Sequence, residues 1–178
     1  IRLGSGLGLK LKADMAELID DLSAALPATF ESEDYRNRRK AIDDDFESTQ
    51  ERAFEELRRK AQGQNIAILR TPMGFALAPL ANGQVVKPEV FNALPEAERQ
   101  GIEAKIVKLQ EELEQILKNV PVLERERRRK IRKLNADIAE MVVGLSIKEI
   151  AARFAGNNEI KTYLAEVRND LIDNAELF

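Results

Sequence analysis

The sequence predicts a mainly α protein: an elongated antiparallel coiled coil or helical bundle, with a small β-hairpin or three-stranded meander near one tip. Three observations predict it. Ile102, Ile106, Leu109, Leu113, Ile116 and Val120 follow one another in steps of 4, 3, 4, 3 and 4, the seam of a coiled coil. Aromatic residues are only 5% of the chain, with no Trp, whereas charged residues are 33%, a balance that suits thin helical contacts better than a thick core. Between two charged, helix-like stretches lies one nearly uncharged island, "ILRTPMGFALAPLANGQVV", from Ile68 to Val86.

Taken in order, residues 1–11 are Gly-rich and predict an extended lead-in. Their glycines fail the phosphate-loop pattern, because Gly8 is followed by Leu9, Lys10 and Leu11 and not by Lys and a hydroxyl residue. Residues 12–63 predict a helix and then a long coiled-coil helix. Met15, Leu18, Ile19, Leu22 and Leu26 make one apolar face, which Pro27 breaks or kinks. Ser32 is the expected N-cap of the long helix and Gly63 its stop. Its stripe, Tyr35, Ile42, Phe46, Ala53, Leu57 and Ala61, is narrow.

Residues 64–94 predict the hairpin and a short helix. Phe75, Leu77 and Pro79 alternate with small Ala, as on a strand with one covered face. "TPMG" (71–74) is a turn with Pro second and Gly fourth, and Asn82-Gly83 is a strong hairpin signal. Phe75, Leu77 and Phe91 are expected to anchor the hairpin on the helices, and Pro88 to open the short helix. Residues 95–145 predict a returning helix or helix pair, whose seam resumes through Leu123, Ile131, Leu134, Ile138, Met141 and Leu145, with Arg127 on a seam position. Asn119 and Pro121 favour a break there over a kink. Residues 146–178 predict two short helices capped by Ser146 and Asn158, the second with a face of Ile160, Leu164, Val167 and Leu171. Two helices joined by a compact insert must run antiparallel for their seams to meet.

Composition excludes several function classes. With no Cys and no His, disulfides, Cys or His metal sites and His- or Cys-based catalysis fall away. The net charge of -3 gives no global pull toward nucleic acid, and no apolar run approaches a membrane span. The chain opens at Ile1 without Met or a signal pattern, so a piece of a longer protein is expected. Paired carboxylates at Asp20–Asp21, Asp43–Asp45 and Glu111–Glu112 read as solvated helix faces, and the serines as caps or loop residues. No catalytic, cofactor-binding or metal-ligating residue is predicted. Met73, Phe75 and Leu77 are candidates for contact with a substrate or partner. Within the run from Glu124 to Lys133, seven cations fall in the nine residues 125–133, so Arg125, Arg128, Arg129 and Arg132 are candidates for nucleic-acid contact. The same run could instead pair with acidic neighbours on adjacent helices.

The block Arg70–Phe75, the turn glycine Gly83, and the Pro88–Arg99 stretch "PEVFNALPEAER" resemble a segment of bacterial Lon-related putative ATP-dependent proteases. Residues 11–35 and 124–144 resemble the helices flanking that segment in the same family. The resemblance spans nearly the whole chain. It implies a helical insertion in or beside an AAA+ ATPase module of a cytoplasmic serine protease. The phosphate loop would lie upstream, and the acidic Mg-site segment and the Ser–Lys dyad downstream. None of these motifs occurs here, so no catalytic or nucleotide-binding residue carries over. ATP and Mg are implied for the parent, and no cofactor for this segment.

Three readings follow. The first is an accessory coiled-coil domain that engages unfolded protein substrates or gates their access to a homo-oligomeric ring of ATPase modules, its partners being those substrates and the rest of the parent chain. The second is a nucleic-acid-binding arm using residues 124–133. The third is a structural spacer or oligomerisation element. Because an internal antiparallel pair satisfies its own seams, the isolated chain is expected to be a monomer, with no membrane partner.

Overall fold

A computed structural model describes residues 3, 5–72 and 74–177. Among them are five α-helices, α1 Leu7–Phe30, α2 Glu33–Gly63, α3 Pro88–Asn92, α4 Glu96–Arg153 and α5 Asn158–Asp173, with a 3-10 turn at Ala175–Leu177. One antiparallel sheet has the order β1 (Ile66–Thr71), β2 (Gly74–Ala81), β3 (Gln84–Val85). The fold is mainly α with a small three-stranded meander, as the sequence predicts. The chain divides into two compact units: unit 1 takes the chain up to Asp43 and again from Arg127, and unit 2 is Asp44–Glu126.

Unit 1 is built on aliphatic stripes. Leu11, Leu18, Leu22 and Leu26 of α1 meet Ala139, Val143, Ile147 and Ile150 of α4, and Ile160, Leu164 and Leu171 of α5. These side chains recur at helical spacing, so each helix turns one face inward. Ile19, expected on the inward face of α1, stands 41% exposed. A second cluster joins Tyr35 on α2 to Leu134 and Ile138 on α4. There the Tyr35 hydroxyl donates to Asn135 Oδ1 at 2.8 Å, and Arg127 pairs with Asp43 at 2.6 Å. Rising numbers on α2 meet falling numbers on α4, so the two segments run antiparallel in this unit.

Unit 2 repeats the logic with a sheet added. Leu57 and Ala61 of α2, Leu109 and Leu113 of α4, and Ile66 of β1 form its core, with Phe54, Ile68, Leu77, Ile106 and Ile116 packed against it. Lys60 pairs with Glu112 across the helices. The hairpin register matches Ile68 with Leu77 and Leu69 with Ala76. Side chains alternate along a strand, so Ile66, Ile68 and Leu77 share the helix-facing side, and Ala67, Leu69, Ala76 and Ala78 take the other. Asn82 and Gly83 both have positive φ, at 52° and 78°, the primed turn that an Asn-Gly pair favours.

Several boundaries differ from expectation. The lead-in is not extended to residue 11: Gly6 takes a left-handed φ of 82° and α1 begins at Leu7, because Leu7 and Leu11 add to the unit 1 core. Pro27 lies inside α1. Pro121 lies inside α4, which continues to Arg153 without a break. An interior Pro costs on the order of 3 kcal/mol, which the apolar seams on both sides outweigh. Ser146 is therefore interior, its hydroxyl donating to the Val142 carbonyl at 3.4 Å, and it is not a cap. Asn157, one residue before the expected Asn158, caps α5 by accepting from the Ile160 amide at 3.0 Å. Ser32 does cap α2, accepting from the Tyr35 amide at 3.2 Å. α2 ends at Gly63, yet the left-handed residue beyond it is Asn65, at φ 57°. Met141 and Leu145, expected on the seam, are 61% and 63% exposed. Past Ile138 the inward stripe moves to Ala139 and Val143, because α4 there packs on α1 and α5.

Glu96 opens α4. A hydrogen bond from the Gln100 side chain at 2.8 Å, with the Arg99 guanidinium beside it, holds this carboxyl below the usual glutamate range. A lowered folded pKa stabilises above the unfolded pKa and is lost as pH falls through the folded value. The first turn of α4 should therefore fray in acid below the ordinary glutamate range. In Gln100→Ala, Glu96 should titrate closer to an ordinary glutamate in a carboxyl NMR titration; an unchanged midpoint would refute the assignment.

Candidate functional site

The meander in unit 2 carries the residues singled out for partner contact. Phe75 is 40% exposed at the turn end of β2, its ring 5.5 Å from Phe54 on α2 and tilted 30° to it. Leu77 is half-buried and packs on the helix-facing cluster, so it offers a partner less surface than Phe75. Met73 lies outside the described residues. Phe91, expected to anchor the hairpin, is half-buried but does not join that cluster. On the opposite side of the sheet Leu69 is 37% exposed among alanines.

Phe75 also closes one end of an open cleft of about 780 Å³. One wall comes from α2, where Glu47, Gln50, Glu51, Phe54, Glu55 and Arg58 fall on a single helical face. The other wall is Leu117, Val120 and Pro121 of α4, and Arg70, the cross-strand partner of Phe75, stands at the sheet end. The floor is apolar and the rim charged. Glu55 is matched by Arg58, whereas Glu47, Glu51 and Arg70 make no ion pair among the described residues. Glu47 and Glu51 are like charges one turn apart, an arrangement that by itself weakens a helix. Pro121 has no N–H to offer the Leu117 carbonyl, so the α4 wall also carries an acceptor without its usual helical donor.

Beside the cleft lies an apolar pit of about 280 Å³, and Gln50 and Val120 line both. Its cause is legible in the side chains. α2 presents the short Thr49 and Ala53 where α4 presents Ile116, Val120 and Leu123, and the seam between them is left underfilled. Sequence reasoning missed Phe54, Leu117, Glu47, Glu51 and Arg70 as site residues. The sequence signal that could have pointed to them is the lack of bulk at Thr49 and Ala53, between Phe46 and Leu57.

The basic cluster lies on α4. Arg125, Arg128, Arg129 and Arg132 are all exposed and make no ion pair among the described residues. Their spacing puts them on one helical face. Arg127, on the seam, is bound by Asp43. Among the described residues no group of three or more acidic side chains is gathered as for a metal ion, and no helix is long and apolar enough to cross a membrane. Compared with known proteins, the chain matches no protein-family model and no curated protein.

Proposed function

We propose that this chain is an accessory coiled-coil segment of a Lon-like, ATP-dependent serine protease, that it engages or gates unfolded protein substrates, and that the chemistry belongs to the rest of the parent. The resemblance at Arg70–Phe75 and Pro88–Arg99 supports the parentage, and with it the cytoplasmic setting, the ring assembly, and the use of ATP and Mg elsewhere in the parent. The observation that carries substrate engagement is the meander: a nearly uncharged sheet that exposes Leu69 on one face and, on the other, Phe75 beside an open, apolar-floored cleft. Contiguous exposed apolar surface rimmed by polar groups is the kind of surface that marks interaction sites and binding grooves. The test is binding of reduced, carboxymethylated α-lactalbumin, a permanently unfolded protein, followed by fluorescence anisotropy. Wild type should bind it, and Phe75→Asp should bind at least several-fold more weakly with an unchanged far-UV spectrum. Equal binding by both would sink the reading.

A second reading is favoured by the four unpaired arginines on α4. A nucleic-acid arm would bind a duplex or single strand with affinity falling steeply as salt rises, each phosphate contact adding to the slope. Arg128→Glu with Arg129→Glu should then abolish binding; no binding by wild type at about 50 mM salt removes the idea. For the third reading, an oligomerisation element, sedimentation at micromolar concentration should show more than a monomer. We expect a monomer.

A further inference from the structure

We propose that the cleft of unit 2 recognises a particular kind of peptide segment: one large apolar side chain flanked by lysine or arginine. The inference rests on the substrate-engaging reading above and narrows it. Five features lead to it. The floor offers Phe54, Phe75 and Leu117 to an apolar side chain, and Leu117 is 42% exposed. The adjoining pit of about 280 Å³ is underfilled because Ala53 and Thr49 are short, so an anchor side chain has somewhere to go. Glu47 and Glu51, unpaired and one turn apart on the α2 wall, repel each other until a cation sits between them. The Leu117 carbonyl, denied a donor by Pro121, adds an acceptor for an ammonium or an amide on the opposite wall. Arg70, at the sheet end, can donate hydrogen bonds to carbonyl oxygens of the same segment as they leave the cleft. A volume of about 780 Å³ lies within the range of about 300–1,000 Å³ typical of ligand sites. Apolar burial supplies the affinity and the carboxylates supply the choice of partner.

The test uses three fluorescein-labelled peptides: one Phe flanked on both sides by Lys, the same peptide with Glu for Lys, and the Lys-flanked peptide with Ser for Phe. Wild type should prefer the Lys-flanked Phe peptide over the Glu-flanked one by about three- to tenfold, the range of two exposed ion pairs. Replacing Phe by Ser should weaken binding by a similar factor or more. Glu47→Lys with Glu51→Lys should invert the charge preference. The control pair Asp20→Lys with Asp21→Lys, exposed on α1 in unit 1, should leave the preference in place and so exclude a general effect of net charge. Ala53→Leu fills the pit and should weaken the Phe peptide while the melting temperature holds or rises. Should Leu overpack the seam, Leu117→Lys at the exposed floor gives the same readout. Equal binding of Lys- and Glu-flanked peptides, a preference that survives the Glu47/Glu51 reversal, or no binding of any peptide overturns the proposal. The two readings separate cleanly. Unfolded lactalbumin bound without any peptide charge preference keeps substrate engagement and removes this specificity. Peptide selectivity without lactalbumin binding does the reverse.

Discussion

Truncating Leu22 to Ala should destabilise the protein by about 3–5 kcal/mol, a large share of the roughly 5–15 kcal/mol that holds a typical domain together. Leu22 is fully buried in the middle of α1, between Leu18 and Leu26, and the side chains around it come from three helices. None of those rigid stripes can collapse into the space a Leu leaves, so the cavity term adds to the lost transfer term. Leu109→Ala should cost about 2–5 kcal/mol for the same reason in unit 2, where Leu109 is fully buried in the cluster of Leu57, Ala61 and Ile66. Denaturant midpoints check the magnitudes, and amide exchange checks the places. Protection should fall first in α1 and α5 for Leu22→Ala, and first in β1 and β2 for Leu109→Ala. A loss below about 1 kcal/mol at either site, well under the cavity range, would mean that the site is not packed as described.

Those two cores explain what could and could not be read from the residues in order. The α4 seam from Ile102 to Val120 was legible because a heptad is a local pattern and its partner, α2, stays the same along that stretch of unit 2. Asn82-Gly83 and Ser32 were legible because a turn and a cap are set by one or two residues. The continuation of the seam through Met141 and Leu145 was not, because α4 changes partners beyond Ile138. Two apolar stripes coexist in that part of the helix, and only the positions of α1 and α5 decide which one is buried. The prolines misled for a related reason: Pro121 reads as a break when only its missing N–H is counted, and as an interior residue once the seams on both sides are included. The cleft was least legible of all. It exists between α2, α4 and the β1–β2 hairpin, and no single stretch of sequence contains it.

The same contrast gives the cleft its functional sense. A coiled coil with every seam position filled offers a partner only its charged exterior. Here the exception falls in the same unit as the nearly uncharged sheet, where short Thr49 and Ala53 oppose long Ile116 and Leu123. The seam is tight at Leu57, Ala61, Leu109 and Leu113, one to two turns closer to the sheet, so unit 2 has its stability from one part of the helix pair and its open surface in another. Filling the pit should therefore separate stability from binding, which no substitution in the tight part of the seam can do.

Arg153→Met should lower the melting temperature sharply, whereas Asp14→Leu should leave it near wild type or raise it, although both break the same ion pair. Arg153 Nη1 donates to Asp14 Oδ1 at 2.7 Å and lies 3.6 Å from Glu17. That contact raises the guanidinium's already high pKa, so Arg153 keeps its charge at every relevant pH. The partners differ in burial. Asp14 is 7% exposed, and its second oxygen accepts no hydrogen bond from the described residues. The Arg153 side chain is 45% exposed. Removing the arginine strands a buried carboxylate without its counter-charge, the costly direction. Removing the aspartate leaves a cation already in contact with water and with exposed Glu17, and places an apolar side chain on the inward face of α1 beside Leu11 and Leu18. The double variant Asp14→Leu with Arg153→Met should therefore recover most of what Arg153→Met loses. The thermal melts of the three variants decide it. If Arg153→Met is no worse than Asp14→Leu, the carboxylate is not desolvated, and the pair is an ordinary surface contact.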